Sequence, residues 1–206
     1  MNNDISLENE RTLRDFMHII YSRRSIRNYT SEIIDSELIE LLLNAAFQAP
    51  TAMHEEPCAF VVIQDTKILK SLSDDIKAAI LMQMESGNSV SKHILQSAKD
   101  QEFNAFYNAS TLILICSQFS NKFTVADCWL ATENLLLTVA ANKLGGCVIG
   151  LSIDTANTTK WKNLLNIPTG TEVISAVIIG IPNEIPPVST RKQVKILSWK
   201  SLALSN

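Results

Sequence analysis

The chain has 206 residues, of which 46% are hydrophobic and 19% are charged, and its formal net charge at pH 7 is -3. A chain of this length can bury a core without disulfides or metal ions, and its charge lacks the basic excess that a nucleic-acid binder needs. We therefore expect one domain over residues 1–206 that binds no nucleic acid.

The sequence lacks motifs for several other functions. Its six glycines form neither a GxxxxGK phosphate loop nor a GxGxxG dinucleotide turn. The four cysteines include no CxxC and the three histidines no HExxH, so we predict no metal site and interpret the cysteines as buried, inert thiols. The first residues form no apolar leader, and no apolar run is long enough to span a membrane. These observations predict a cytoplasmic protein without a membrane partner.

The start of the chain predicts two helices. The apolar stretch 16–20 indicates a short helix that leads into a cluster of arginines. Segment 35–50 has apolar residues spaced by three and four, with Asp35 or Ser36 as its N-cap and Pro50 as its stop. This second helix would present one apolar face to the core.

The rest of the chain alternates strands with helices. Segment 67–84 has helical spacing, and the polar residues 86–107 predict a lid. Three apolar runs rich in β-branched residues predict buried strands, over 59–63, 110–116 and 173–181. Because the spacing of these elements is irregular, it indicates an α+β fold rather than a doubly wound sheet.

Two segments suggest contact with a second subunit. Stretch 123–144 predicts a long helix that is apolar on nearly every face, and such a helix must be buried in a large core or in a subunit interface. The tail 182–206 is broken by prolines, and its alternating Val194 and Ile196 would suit a strand added to another subunit's sheet. We therefore expect an extended tail that contacts a partner.

The densest polar cluster is RRSIRNY, which contains Arg23, Arg24, Ser25 and Arg27. Guanidinium groups present several donors in a fixed geometry that suits a phosphate dianion. The alternative interpretation is a solvated charge run at the end of a helix. The cluster alone does not decide between the two.

Two loops are candidates for contact with a planar ring. In QAPTAMHEEPC, over 48–58, a stiff loop between two prolines would leave backbone groups and His54 beside a heterocycle, or it is only a rigid connection. In KLGGCVIGL, over 143–151, Gly145 would close the long helix in a left-handed conformation, and Gly150 would let a ligand approach the backbone.

These segments, in this order, resemble the nitroreductase family of oxidoreductases that depend on flavin mononucleotide (FMN). The matching pieces are RRSIRNY, AAFQAPTAMHEEPCAFVVI, ATENLLLTVAANKLGGCVIGL and LNIPTGTEVISAVIIGIP. The resemblance implies a central, mainly antiparallel sheet flanked by helices, in an intertwined homodimer that exchanges C-terminal strands. It also implies an enzyme that takes hydride from NADH or NADPH and reduces electron-poor small molecules, such as nitroaromatics and quinones, by a ping-pong mechanism.

The resemblance further implies which residues bind FMN, and it implies no catalytic side chain because the flavin N5 atom carries the chemistry. Contacts to the phosphate and the polar edge of the flavin would come from Arg23, Arg24, Ser25, Arg27 and Arg191. Contacts to the ring would come from Pro50, Thr51, Ala52 and His54 on one side and from Ile149, Gly150 and Leu151 on the other.

Three residues depart from the family pattern. His54, Glu56 and Cys58 stand where the family usually has asparagine, glutamine and tryptophan. Two alternatives therefore stay open. One is a non-catalytic protein that binds or stores flavin, and the other is a flavin-dependent oxidase or reductase of the same family with a specialised substrate.

Overall fold

The computed structural model describes residues 2–85, 91–187 and 190–200. In these ranges the α-helices are Asn2–Ser22 (α1), Ser36–Phe47 (α2), Thr66–Glu85 (α3), Lys92–Ala98 (α4), Thr124–Ala141 (α5), Ile153–Ala156 (α6) and Thr159–Leu164 (α7). The strands are Cys58–Ile63 (β1), Thr111–Ser117 (β2), Gly145–Val148 (β3) and Glu172–Gly180 (β4). Short 3-10 helices span Ala52–His54 and Gly150–Ser152.

The four strands form one sheet in the order β1-β2-β4-β3, and each neighbouring pair is antiparallel. This arrangement confirms the predicted α+β fold with an antiparallel sheet. Successive side chains of a strand point to opposite faces, so β2 sends Leu112 and Leu114 to one side and Ile113 and Ile115 to the other. The sheet therefore divides the interior into two cores.

Different helices cover the two cores. The first core lies on the face of Leu112 and is completed by residues of α3, α4, α6 and α7, including the buried Trp161. The second core lies on the face of Ile113 and is completed by α2 and α5. Asp35 caps α2 as predicted, because its carboxylate accepts a hydrogen bond of 2.7 Å from the backbone N–H of Leu38.

The arginine cluster runs beside the sheet. We call residues 23–29 the arginine segment. Ser25 forms a parallel bridge with Gly146, and the backbone N–H of Ile26 donates to the carbonyl of Gly146 at 3.1 Å. Further along, Tyr29 forms an antiparallel bridge with Pro182. These contacts fix the backbone of the arginine segment along β3 and past the end of β4.

Two glycines leave room for the buried side chains of the arginine segment. A methyl group at Gly145 would lie 2.8 Å from the Cβ atom of Ile26, and one at Gly180 would lie 2.7 Å from a ring carbon of Tyr29. Both distances are shorter than carbon atoms tolerate. The buried Tyr29 hydroxyl donates to the Ile26 carbonyl at 2.6 Å. Glycine at 145 and 180 is therefore what lets Ile26 and Tyr29 reach the first core.

The end of α5 differs from the prediction. Gly145 does not close the helix, because Lys143 takes the left-handed conformation with φ of 59° and Gly145 is already in β3. The backbone N–H groups of Lys143 and Leu144 donate to the carbonyls of Ala140 and Val139 at 3.0 Å each. This is the double hydrogen bond of a Schellman motif, which satisfies the last carbonyls of the helix even with lysine at the left-handed position.

Other elements also differ in extent. Helix α1 begins at Asn2, far before the apolar stretch that predicted it. Within 86–107, the stretch predicted to form a lid, residues 86–90 lie outside the described ranges and α4 occupies Lys92–Ala98. The described tail residues 190–200 are exposed and adopt no helix or strand within this chain. No helix in the described ranges is both long and apolar enough to cross a membrane.

We expect Gly145→Ala to lower the free energy of unfolding by about 1–3 kcal/mol, the usual cost of overpacking. The branched Cβ atom of Ile26 cannot swing away from the added methyl group. Chemical denaturation measures the loss. The matched control is Gly150→Ala, where no described atom beyond the chain neighbours lies within 4 Å of an added methyl group, and a change below about 0.5 kcal/mol is expected. Equal losses in the free energy of unfolding for the two variants would contradict the close contact between Ile26 and Gly145.

Candidate functional site

The guanidinium group of Arg24 has one nitrogen that donates hydrogen bonds to the described residues and two that do not. Its Nη1 atom donates to the carbonyls of Tyr21 at 2.8 Å and Arg23 at 2.6 Å. Its Nε and Nη2 atoms are buried and have no hydrogen-bond partner among the described residues. Leaving buried guanidinium N–H groups unpaired is costly, so this edge suits an anion.

Arg23 also has spare hydrogen-bonding capacity. Its Nε atom lies 4.0 Å from a carboxylate oxygen of Glu133, whose side chain is 55% exposed. An exposed pair at that distance contributes little. Arg23 and Arg24 line a cavity of about 230 Å³ together with His18 and Lys143. This small cavity therefore brings several basic side chains together where an anion can bind.

A larger cavity of about 500 Å³ lies around Arg27. The Arg27 guanidinium carbon is 5.9 Å from the ring centre of Tyr107, which is within the range of a cation–π contact. Phe103, Tyr107 and Ile94 give the cavity an apolar wall from the predicted lid region. The volume is that of a site for a small organic molecule.

The floor of this cavity includes the backbone after β3. Ile149, Gly150 and Leu151 all line it, as does Arg27. Apart from its neighbours in the chain, no atom of the described residues lies within 4 Å of a methyl group added at Gly150, and the φ of Gly150 is not in the left-handed region. Neither packing nor backbone conformation therefore requires glycine at 150. Because Gly150 has no side chain, its backbone is exposed to the cavity.

The loop over residues 51–57, which we call the docked loop, has an unusual backbone. Met53, His54 and Glu56 have φ of 55°, 56° and 45°, all in the left-handed region. A non-glycine residue in that conformation costs about 1–2 kcal/mol. Strain of this kind persists only where surrounding contacts hold it, and it clusters at functional sites.

Helix α5 supplies the contacts that hold the docked loop. Both carboxylate oxygens of the buried Asp127, in the first turn of α5, accept from the backbone N–H of Ala52 at 3.3 Å. The Nδ2 atom of Asn121, just before α5, donates to the Glu55 carboxylate at 2.6 Å. The position of Asp127 also favours a negative charge, because the N-terminal end of a helix carries partial positive charge.

The structure brings some of the predicted FMN residues together and leaves others apart. Arg27 shares the larger cavity with residues 149–151, whereas Arg23 and Arg24 line the smaller one. Burial raises the pKa of the Cys147 thiol, and the positive charge of Arg27 and the nearby Ser25 side chain oppose that rise. Neither of these two cavities is lined by Pro50, Thr51, Ala52, His54 or Arg191 of the same chain.

Sequence reasoning missed two features of this region. Asp127 is one of two charged residues in the largely apolar helix α5, and a charge in that setting was a usable indication of a fixed role. Phe103 and Tyr107 lie in a polar stretch without periodicity, so no pattern placed them at a cavity. Tertiary contact alone brings these aromatic side chains to Arg27.

Comparison with known proteins gives a consistent result. The family model described as "Nitroreductase family" matches residues 20–181. A protein of Archaeoglobus fulgidus named NADH dehydrogenase/NAD(P)H nitroreductase is 29% identical over 177 residues, which cover 84% of this chain and 88% of that protein. The solved FMN-dependent nitroreductase of Clostridium difficile R20291 is 28% identical, with a TM-score of 0.73 and coverage of 89% and 98%. Iodotyrosine deiodinase bound to FMN and 3-iodo-L-tyrosine shares the fold, with 20% identity, a TM-score of 0.73 and coverage of 91% and 100%.

We expect Asp127→Ala to release the docked loop. Hydrogen–deuterium exchange of the backbone amides over 51–57 should become faster, and the free energy of unfolding should fall by about 1–2 kcal/mol because a charged acceptor is lost. Glu133→Ala, on the exposed side of the same helix, is the control and should change stability by less than about 0.5 kcal/mol. Unchanged exchange in the Asp127 variant would show that other contacts hold the loop.

Proposed function

The chain belongs to the nitroreductase family, and from this premise we propose that it is an FMN-dependent oxidoreductase that takes hydride from NADH or NADPH. The observation that carries the proposal is the buried guanidinium edge of Arg24, unpaired among the described residues and beside Arg23, together with a second cavity lined by Arg27 and the bare backbone at Gly150. The residues present therefore fit a ligand that has an anionic group and a planar ring.

We assign the phosphate of FMN to Arg23 and Arg24, with Ser25 and Arg191 as further contacts. Charge-assisted hydrogen bonds from arginine are the strong interactions that a phosphate dianion accepts, and they replace the glycine-rich loop that this sequence lacks. The unsatisfied Nε and Nη2 atoms of Arg24 would gain partners on binding. Arg27 would place positive charge beside the polar edge of the flavin ring.

We assign the ring to the larger cavity and to the docked loop. The backbone over 149–151 would lie against one side of the ring, and Pro50, Thr51, Ala52 and His54 against the other. Bound FMN supplies the hydride chemistry between the nicotinamide and the acceptor. Phe103, Tyr107 and Leu151 would pack against flat, electron-poor acceptors such as nitroaromatics and quinones. A cavity of about 500 Å³ would hold the donor and the acceptor in turn, as a ping-pong mechanism requires.

Exposed apolar side chains support a homodimer. Helix α5 contacts both α1 and α2, and each of these helices leaves large apolar residues exposed: Leu13, Phe16, Ile20, Tyr21, Leu41, Phe47, Val125, Trp129 and Leu130. Large apolar side chains left exposed on neighbouring helices are typical of protein–protein interfaces. A partner that covers it would bury the remaining face of α5, as the sequence pattern requires. The dimer would also let the docked loop and Arg191 reach a shared flavin.

The edges of the sheet support strand exchange. The arginine segment covers the outer edge of β3 through the bridge between Ser25 and Gly146. No described segment pairs with the outer edge of β1. An unpaired edge accepts a strand from another chain. We propose that the tail, with Val194 and Ile196 exposed at alternate positions, lies along this edge of the partner subunit.

Spectroscopy tests the function directly. We expect the purified protein to show flavin absorbance, to release FMN on denaturation and to lose its visible absorbance when NADH or NADPH is added without oxygen. Absorbance that returns with a nitroaromatic or a quinone supports the proposal. If neither NADH nor NADPH bleaches the bound flavin, the proposal is overturned in favour of a storage protein. If the visible absorbance returns only when an iodinated phenol is added, the protein is a specialised relative.

Arg23→Ala tests the phosphate site. Loss of a charge-assisted hydrogen bond costs about 1.5–3 kcal/mol, so the dissociation constant of FMN should rise by about tenfold or more. Light scattering should still report twice the mass of the chain, because Arg23 is not part of the apolar surface. The control is Arg11→Ala, an exposed residue of α1, the helix that precedes Arg23. Equal FMN affinity in both variants would exclude Arg23 from the phosphate site.

A further inference from the structure

Two of the four cysteines lie in contact in the second core. The Sγ atoms of Cys58 and Cys128 are 3.6 Å apart. Both residues belong to the core between the sheet and helices α2 and α5. Cys116 and Cys147 belong to the first core, on the opposite face of the sheet. The sheet therefore keeps one close pair of thiols apart from the other two.

The close pair joins segments that are distant in the sequence and meet at the docked loop. Cys58 directly follows this loop at the start of β1. Cys128 directly follows Asp127, whose carboxylate accepts from the Ala52 N–H. A disulfide has its sulfur atoms about 2.05 Å apart, so the two Sγ atoms need to approach by roughly 1.5 Å. Rotation of the two side chains, with a small shift of the adjoining docked loop, would provide that movement.

The four thiols differ in their tendency to ionise. The hydrogen bond with Cys128 lowers the pKa of Cys58, whereas the same contact and burial raise the pKa of Cys128. Burial raises the pKa of Cys116 to about 11, and it also raises that of Cys147. Because the thiolate is the reactive form, Cys58 is the favoured nucleophile. It also retains 7% exposure, whereas Cys128 has none.

We propose that hydrogen peroxide converts Cys58 and Cys128 into a reversible disulfide that fastens the docked loop to α5. The Cys58 thiolate attacks one peroxide oxygen, the O–O bond breaks, and the departing hydroxide takes up a proton to become water. The Cys128 thiol then displaces the hydroxyl group of the Cys58 sulfenic acid, which leaves as a second water molecule. Two electrons pass from the two thiols to peroxide.

The consequence is a covalent anchor for a loop that is otherwise held by Asp127 and Asn121. The inference does not rest on the proposed function, because it concerns only the thiols and their surroundings. Where the proposed function holds as well, the anchor acts on the loop that carries three of the assigned ring contacts, Thr51, Ala52 and His54. Oxidation would then alter the flavin site without touching the arginine segment.

Thiol counting tests the proposal on the intact, native protein. After treatment with hydrogen peroxide and removal of the excess, the protein is unfolded without reductant and alkylated. The four free thiols should fall to two, Cys116 and Cys147, and peptide mapping should recover Cys58 linked to Cys128. Dithiothreitol should restore all four. Four alkylated thiols after treatment, or a linkage through Cys116 or Cys147, would overturn the proposal.

Single substitutions sharpen the test. In Cys128→Ala, no thiol remains to resolve the Cys58 sulfenic acid, so a dimedone adduct at Cys58 should accumulate instead of the disulfide. In Cys116→Ala, the disulfide should form as in the unmodified chain. A dimedone adduct at Cys116 or Cys147 before one at Cys58 would also refute the assignment of the nucleophile. Because native unmodified protein carries the main experiment, a variant that fails to fold does not weaken it.

Discussion

The contact of two side chains with two glycines fixes the position of every charge in the arginine segment. Ile26 lies against Gly145 and Tyr29 against Gly180, at distances where an added methyl group would clash. Because these two side chains are buried in the first core, the arginines between and before them are directed away from it. Affinity for an anion thus depends on packing one layer below the guanidinium groups.

The docked loop follows the opposite principle. Its backbone is unfavourable in itself, with three non-glycine residues at positive φ, and it is stable only because side chains of another element hold it. Asp127 and Asn121 are contributed by α5 and by the turn that leads into it. Hydrophobic packing therefore positions the arginine segment, and hydrogen bonds position the docked loop. These two kinds of interaction respond differently to substitution.

The sequence predicted the parts of the fold in which local pattern and tertiary burial agree. The N-cap of α2, the strands β1, β2 and β4 and the length of α5 follow from periodicity and capping. Strand β3 was missed because it has four residues, two of them glycine, and only its tertiary pairing with β4 and the arginine segment makes it a strand. At the end of α5, Lys143 rather than the expected Gly145 takes the left-handed conformation, because the hydrogen bonds of the Schellman motif stabilise that backbone. The motifs predicted the residue types of the candidate site. They did not predict that these residues line two separate cavities, because that depends on how the arginine segment turns past the sheet.

Strands β2 and β4 belong to both cores at once. Alternate residues of β2 and of β4 are buried on opposite faces, and both strands have hydrogen-bonded neighbours on each side. Loss of packing in one core therefore removes support from the strands that carry the other. The two cores constitute one cooperative unit of unfolding rather than two separable layers. The larger cavity adjoins one face and the docked loop the other, so both halves of the candidate site are lost or kept together when the protein unfolds.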